Sequence, residues 1–169
     1  RDSNNDADGT HGDYLRVSDM TLDGNKANNT PVSNVTILAM FRKGDVYFNN
    51  LHVINSAFQG FGINGESRFA GYGTERAWFT NCLVEGCNGN AIDSPCEYLR
   101  IHNCMSKNNT VGNGTGMGGL DFDGSTHCEV SNYTSDGDWN GVLIGGTSAG
   151  RPSQEHVFHG LVIRYARNE

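Results

Sequence analysis

The stretch Val17-Ser18-Asp19-Met20-Thr21-Leu22 has a six-residue pattern: an apolar residue, any residue, an Asn-like residue, an apolar residue, any residue and an apolar residue. The hexad recurs at 48–53, 79–84, 101–106, 130–135 and 158–163. Its third positions are spaced by 31, 31, 22, 29 and 28 residues. Such unequal spacing is typical of fixed strands joined by loops of variable length, so the sequence predicts a solenoid.

Each hexad combines two short apolar alternations with the period of a β-strand. The residue between them is Asn, Asp or Gly, which tolerate the left-handed conformation of a tight turn. A third strand is predicted in each coil after a Gly/Asn-rich loop, at 34–37, 60–63, 91–94, 119–122 and 141–144. The predicted fold is all-β, a right-handed parallel β-helix of about six coils with three strands per coil. At roughly 4.8 Å per coil the rod would be about 29 Å long.

Composition agrees with a thin core. Only 36% of the 169 residues are hydrophobic, and 23 Gly accompany 3 Pro. The net charge of −7 argues against a nucleic-acid partner, and no apolar run is long enough for a membrane helix. We expect an acidic loop or partial coil at 1–13 and the β-helix domain at 14–169, as part of a longer protein.

Stacked hexads predict several columns of side chains. Two columns should point inward. The first position of each hexad gives Val17, Phe48, Phe79, Ile101, Val130 and Phe158. The fourth position gives Met20, Leu51, Cys82, Cys104, Tyr133 and Leu161. The anchor residues Asn50, Asn81, Asn103 and Asn132 should form an Asn ladder in which Asn132 is buried. Five cysteines cannot form a complete disulfide framework. Two reduced, buried thiols are the favoured interpretation of Cys82 and Cys104, and a disulfide is the alternative.

The repeat with its Asn column resembles the pectin-lyase-like superfamily of right-handed β-helices. Within it, residues 15–28 are similar to a Leu-Thr-Leu-Asp-Gly-Asn-Arg run of the mannuronan C5-epimerases. Those enzymes share a Tyr-Gly-Phe-Asp-Pro-His segment one coil later, where this chain has Gly62 and Asn64 in place of the Asp and His. Residues 119–123 resemble a polygalacturonase Asp-Gly-Phe-Asp segment, but Gly118 replaces its first Asp. The resemblance implies a polysaccharide ligand and does not imply epimerase activity.

The resemblance also implies that the ligand crosses the third-strand sheet. Strand alternation places Asp93 and Asp121 outward on neighbouring coils, and Asp123 about 7 Å along the strand from Asp121. Three interpretations stay open for these carboxylates. They could be an acid/base pair for glycoside hydrolysis, a Ca²⁺ site as in pectate lyases, or a solvated face that keeps the sheet soluble.

Other candidates lie in or beside loops. Substrate-binding residues would be Trp139, Arg151, Arg68 and Tyr72, with Trp78 as a further ring for stacking on a sugar. Asn4, Asp6 and Asp8 form a second candidate calcium segment, for which a flexible acidic loop is the favoured interpretation.

The sequence therefore predicts an extracellular polysaccharide-active or polysaccharide-binding domain of lyase or glycoside hydrolase type, with calcium as the one cofactor to consider. The alternative is a noncatalytic structural or adhesive β-helix, such as a segment of a phage tail spike or an extracellular filament. In either case we expect an extracellular or virion-surface location, no membrane partner, and homo-oligomer contacts at the open coil ends.

Overall fold

The computed structural model describes residues 14–29, 38–40, 44–63, 74–93, 96, 98–110, 118–122, 125–145, 147–148 and 151–164. Within these ranges every regular element is a β-strand. In chain order the strands are β1 (Leu15–Asp23), β2 (Leu38–Met40), β3 (Gly44–Ile54), β4 (Phe61–Ile63), β5 (Thr74–Thr80), β6 (Leu83–Glu85), β7 (Ile92–Asp93), β8 (Tyr98–His102), β9 (Met105–Lys107), β10 (Leu120–Asp121), β11 (Glu129–Asp136), β12 (Val142–Leu143), β13 (Thr147–Ser148), β14 (Arg151–Pro152) and β15 (Val157–Arg164).

Two parallel sheets account for most of these strands. The larger sheet runs in the order β1-β3-β5-β8-β11-β9-β6, with β15 paired to β11, and the smaller sheet in the order β12-β10-β7-β4-β2. The short pair β13–β14 is antiparallel. In both sheets each strand pairs in parallel with a strand of the preceding or the following turn, so the chain is an all-β parallel solenoid, as predicted.

The register of the larger sheet places the hexads directly over one another. Its pairs carry the first inward column without a shift, from Val17 through Phe48, Phe79, Ile101 and Val130 to Phe158. Residues far apart in the chain therefore become neighbours at the strand spacing of about 4.8 Å. The predicted stacking of the hexads is confirmed.

The prediction of six coils is wrong, since the solenoid has about four turns. The buried hydrophobic residues run from Val46 to Tyr133, and so belong to the four turns that begin with β3, β5, β8 and β11. The strands β1 and β15 are the outer strands of the described larger sheet, and most of their side chains are exposed or half-buried. Their hexads are present, but they do not enclose a core of their own.

The pattern of three strands per coil is not confirmed either. The two halves of each hexad lie in the same sheet. The strands β1, β3, β11 and β15 continue through the anchor residue, and the other two hexads are divided into β5 and β6 and into β8 and β9. The anchor bends the strand and does not transfer the chain to another sheet.

The bend at each anchor is a left-handed residue, as predicted. The backbone φ is positive, between 52° and 61°, at all six anchors: Asp19, Asn50, Asn81, Asn103, Asn132 and Gly160. Two side-chain steps of the ladder are formed by Asn50 Nδ2 donating to Asp19 Oδ1 at 2.9 Å and Asn103 Nδ2 donating to Asn81 Oδ1 at 2.7 Å. The anchor side chains are exposed, so the predicted burial of Asn132 is wrong.

A second column of left-handed corners follows the anchors by five or six residues. Its members are Asn25, Asn55, Gly86, Asn108 and Gly137, with φ between 47° and 70°. Gly137 has a further reason to lack a side chain, because a Cβ there would lie 2.6 Å from Asn108 Oδ1. Two corners per turn give the larger sheet its bent cross-section.

The core between the two sheets combines aromatic rings with buried thiols. Phe48, Phe61 and Phe79 pack with ring centroids 4.9–5.3 Å apart. All five cysteines are described, buried and outside any disulfide, which agrees with the favoured interpretation of Cys82 and Cys104. Burial raises the pKa of the Cys87 thiol to about 11 and that of Cys128 to about 12. Among the described residues, no helix is long and apolar enough to cross a membrane.

Candidate functional site

The predicted carboxylate pair is brought together on the smaller sheet. Asp93 ends β7, Asp121 ends β10, and the two are register partners on neighbouring turns. Asp93 is half-buried, whereas Asp121 is only 6% exposed. The expectation that both carboxylates face solvent is therefore wrong for Asp121.

Each of these carboxylates accepts a hydrogen bond from an amide of the preceding turn. Gln59 Nε2 donates to Asp93 Oδ2, and Asn90 Nδ2 donates to Asp121 Oδ2 at 2.9 Å. The oxygen of the Asn90 side chain also accepts from the backbone N–H of Gly118 at 3.0 Å. A hydrogen bond to a carboxylate favours its charged form and offsets the repulsion between the two acids. The arrangement fits a structural ladder that joins adjacent turns.

The structure describes two of the three carboxylates that are predicted to hold a calcium ion here, Asp93 and Asp121. Ca²⁺ takes about 6–8 oxygen ligands, and the described part of the chain contains no group of three acidic, His or Cys side chains that could hold a metal ion. The third predicted ligand, Asp123, lies outside the described residues, as do Asn4, Asp6 and Asp8. The calcium site therefore stays a prediction.

The predicted sugar-binding residues do not converge within the described part. Arg68 and Tyr72 lie outside it, and Arg151 is placed only as a backbone position, paired with Ser148 in the β13–β14 hairpin. Trp139 is half-buried three residues before β12, where its backbone N–H donates to the carbonyl of Asn109 at 3.1 Å. Of these four side chains, only that of Trp139 is described, and it lies just before a strand of the smaller sheet.

A row of aromatic and charged side chains lies on the outward face of the larger sheet. The residues just before the hexads are register partners there: Arg16, Tyr47, Trp78, Arg100, Glu129 and Val157. Two residues earlier on these strands, Asp45, Arg76 and Tyr98 are also partners. The expectation that Trp78 lies in or beside a loop is wrong, because it lies within β5.

The strand spacing stacks the aromatic members of this row. Tyr47 and Trp78 have ring centroids 4.3 Å apart and an angle of 3° between their planes. Tyr14 extends the stack on the other side of Tyr47, with centroids 4.7 Å apart. Beside it, the guanidinium carbon of Arg76 lies 5.9 Å from the Trp78 ring centroid, which is within the range of a cation–π contact.

Beyond Trp78 the row of aromatic rings gives way to a groove of about 960 Å³, here called the Trp78 groove. It continues over the next three turns toward β15. Its lining consists of Arg76, Trp78, Tyr98, Arg100, His127, Cys128, Glu129, Glu155, His156 and Val157. Within the lining Tyr98 stacks on His127, with ring centroids 4.9 Å apart.

The ionisable side chains of the Trp78 groove are paired across neighbouring turns. Arg76 Nε lies 2.6 Å from Asp45 Oδ1, Arg100 Nε 3.5 Å from Glu129 Oε2, and His127 Nε2 2.6 Å from Glu155 Oε2. These pairs are exposed or half-exposed, and such pairs contribute only up to about 1 kcal/mol to stability. Their polar groups can therefore be redirected to a ligand at small cost.

A second polar cluster lies inside the solenoid and is enclosed by protein. The Asp138 carboxylate accepts hydrogen bonds from the Ser106 hydroxyl, the Ser135 hydroxyl at 2.6 Å and the Asn109 side chain at 2.9 Å. The Tyr133 hydroxyl donates to Ser106. Burial raises the pKa of Asp138, although its hydrogen bonds act in the opposite direction. Since these side chains are buried, they hold turns together and do not meet a ligand.

Comparison with known proteins found no matching protein family, no matching curated protein and no matching solved structure. The candidate site therefore depends on the geometry of this chain alone.

Proposed function

We propose that this chain is a polysaccharide-binding β-solenoid, right-handed and of the pectin-lyase-like kind, that acts on an extracellular or virion surface. The Trp78 groove is the binding site in this proposal. The proposal depends on one observation. The stack of Tyr14, Tyr47 and Trp78 ends at a groove that spans three further turns. Three strand spacings amount to roughly 14 Å.

Polysaccharide is the ligand class that combines the two kinds of surface in this groove. The C–H face of a sugar ring packs on an aromatic ring, as other apolar groups do, and Trp78 and Tyr98 offer such rings. Hydroxyl groups exchange hydrogen bonds with both donors and acceptors, which Arg100, Glu129 and Glu155 supply. Tyr98 is 44% exposed, so its ring is accessible.

The charge distribution favours a neutral polysaccharide. The chain has a net charge of −7, and the two arginines of the groove are each paired with a carboxylate. A polyanion would meet repulsion from the chain as a whole and would compete with those carboxylates for the guanidinium groups. A neutral chain of sugars meets neither cost.

The experiment is a titration of soluble neutral glycans, such as β-glucan, xylan and galactan, with pectate and alginate as the acidic comparison. Trp78→Ala should weaken binding of the preferred neutral glycan about tenfold, which corresponds to about 1.4 kcal/mol. Trp139→Ala is the matched control, because it removes the chain's other tryptophan and lies outside the groove. It should bind as the wild type does.

Two results would count against the proposal. One is loss of binding in Trp139→Ala with full binding in Trp78→Ala. The other is the absence of binding to every glycan by a folded wild-type protein. A preference for pectate or alginate would contradict the inference of a neutral ligand.

A glycoside hydrolase or lyase is the second candidate function, and the register of Asp93 and Asp121 is what favours it. Carboxylates on neighbouring parallel strands are separated by roughly one strand spacing of about 4.8 Å at their Cα atoms. Retaining glycosidases use carboxyl groups about 5–5.5 Å apart. This candidate predicts product release that Asp121→Asn abolishes, with EDTA sensitivity if calcium takes part. Turnover unchanged in Asp121→Asn would remove the pair from the mechanism.

A further inference from the structure

The part of the Trp78 groove between β5 and β8 is bordered by one aromatic ring from each strand. Trp78 on β5 is the register partner of Arg100 on β8, and Arg76 on β5 is the register partner of Tyr98 on β8. All four side chains line the groove. The two rings therefore lie diagonally across one step of the solenoid, two residues or about 7 Å apart along the strand direction.

The two rings turn opposite faces to the gap between β5 and β8. Tyr47, one turn before Trp78, covers the face of Trp78 that points away from β8, with ring centroids 4.3 Å apart and planes 3° apart. His127, one turn after Tyr98, covers the face of Tyr98 that points away from β5, with ring centroids 4.9 Å apart. The other face of each ring is thus directed into the gap.

The two arginines beside these rings are drawn away from the gap. Arg76 Nε lies 2.6 Å from Asp45 Oδ1 on the turn before β5, and Arg100 Nε lies 3.5 Å from Glu129 Oε2 on the turn after β8. Each guanidinium group is therefore held on the outer side of its own strand. A flat ring can enter between the strands while both ion pairs stay formed.

We propose that the ligand is a β-1,4-linked glucan or xylan that crosses the solenoid between β5 and β8. Two adjoining sugar rings stack in this gap, one on Trp78 and the other, from the opposite side, on Tyr98. A sugar ring on Trp78 lies parallel to the plane of a turn, so the sugar chain runs along the strands and not along the solenoid axis. This inference rests on the proposed function of the groove and adds the sugar class and its direction.

The opposed faces determine which sugars fit. A sugar that stacks on an aromatic ring must present C–H groups on that side. In β-1,4-linked glucose and xylose the ring substituents are equatorial, which leaves C–H groups on both faces of the chain. Galactose has an axial hydroxyl at C4 that places a polar group on one face. A galactan should therefore stack well on one of the two rings and poorly on the other.

Calorimetric titration of the full chain with cellobiose, cellotetraose and β-1,4-galactobiose tests the sugar class and the length of the site. Cellotetraose should bind at most about threefold more tightly than cellobiose, because the site holds two rings and the tetrasaccharide offers three registers. Galactobiose should bind at least about fivefold more weakly than cellobiose. These measurements use the wild-type protein and do not depend on the folding of any variant.

Variants test the direction of the chain. Val157 lines the same groove three turns beyond Trp78 and is 49% exposed, so Val157→Ala is the matched control for Tyr98→Ala. Val157→Ala should bind cellobiose as the wild type does, and Tyr98→Ala about fivefold more weakly. Tyr47 acts as a positioning residue behind Trp78 and is not among the residues that line the groove. Tyr47→Ala should weaken cellobiose binding about threefold, and Tyr47→Phe should restore it.

The outcomes separate this inference from the proposed function. Equal losses of affinity in Val157→Ala and Tyr98→Ala, or a gain of more than about threefold from cellobiose to cellotetraose, would place the sugar chain along the solenoid axis and overturn the crossing. Galactobiose that binds as tightly as cellobiose would overturn the sugar class. Either result would leave the groove as a polysaccharide site. Wild-type protein that binds no glycan would instead refute the proposed function and this inference together.

Discussion

Two regions of this solenoid place charged side chains on neighbouring turns, and they differ in what surrounds those side chains. On the smaller sheet, Asp121 is buried and accepts a hydrogen bond from Asn90, and Asp93 accepts one from Gln59. In the Trp78 groove, the ion pair of Arg100 with Glu129 is exposed and lies beside accessible aromatic rings. A cluster of charges in a sequence can therefore hold turns together or meet a ligand, and burial separates the two.

The same contrast extends to the interior cluster around Asp138. Side chains there, such as Asn109, are fully buried and bridge one turn to the next through hydrogen bonds. Loss of a buried partner leaves other polar groups unsatisfied, which costs about 1–3 kcal/mol per group. Groove side chains lose only exposed contacts. Substitutions in the buried clusters should therefore change stability, and substitutions in the groove should change binding.

The largest expected effect is that of Asn109→Ala. Its side chain accepts from the N–H of Cys87 and donates to the Val84 carbonyl and to Asp138. Because three buried partners lose a hydrogen bond, the free energy of unfolding should fall by about 3–5 kcal/mol. Urea denaturation measures it. Asn49→Ala, on the half-buried outward face of β3, is the control and should cost less than about 1 kcal/mol. Equal losses in the two variants would contradict a bridging role for Asn109.

Asp121→Ala should have the next largest effect, again on stability. It removes the acceptor of the Asn90 amide, and we expect a loss of about 2 kcal/mol in the free energy of unfolding. Glycan affinity should stay within about twofold of the wild type, since Asp121 is not among the residues that line the groove. Calorimetric titration at a temperature where both proteins are folded checks this. Weaker glycan binding without a loss of stability would reverse the roles given to the two regions.

Tyr98→Ala should have a smaller effect, on binding. Tyr98 lines the groove and stacks on His127, so its removal takes away one wall of the site. The dissociation constant for the preferred glycan should rise about fivefold, or about 1 kcal/mol. The free energy of unfolding should change by less than about 1 kcal/mol, because the ring is substantially exposed. A destabilised variant with unchanged affinity would show that Tyr98 stabilises the fold and does not bind the glycan.

The smallest expected effect is a pH dependence of stability due to Asp138. Burial raises its pKa in the folded state above the usual value of 3.8, so the unfolded chain gives up the proton at lower pH than the folded chain does. The contribution of Asp138 to stability is therefore complete below pH 3.8 and is lost as pH rises through the raised pKa. As pH rises from 3.8 through the raised pKa, the wild type should lose stability relative to Asp138→Asn, as measured by urea denaturation. A gain in the stability of the wild type relative to Asp138→Asn over the same pH range would contradict a raised pKa for Asp138.

The sequence was sufficient for the parts of the fold that the hexad determines. The Asn-like anchors predicted the left-handed bends at Asn50 and Asn103, and the apolar positions predicted the inward column of Phe48 and Phe79. These features depend on local conformation and on the alternation of a strand, both of which are visible in a short pattern.

Other features depend on distant residues, which determine how sharply a strand bends and which side chains become buried. Nothing in a hexad distinguishes a bend within one sheet from a change of sheet, so the prediction of three strands per turn is not confirmed. Asp121 follows an inward residue and was expected to face solvent, but its burial depends on the surrounding turns. The row of Tyr47 and Trp78 was available in the sequence, because both residues directly precede a hexad. An alignment of the six hexads that includes the residue before each of them shows this row.

The most direct test of the binding site uses the two tryptophans of the chain, Trp78 in the groove and Trp139 on the approach to the smaller sheet. Their indole N–H groups give two resonances in a ¹⁵N-correlated NMR spectrum, and Trp78→Phe assigns them. Titration with an oligosaccharide of the preferred neutral glycan should shift the Trp78 resonance and leave that of Trp139 in place. A shift of the Trp139 resonance alone would place the ligand on the side of the smaller sheet and contradict the account.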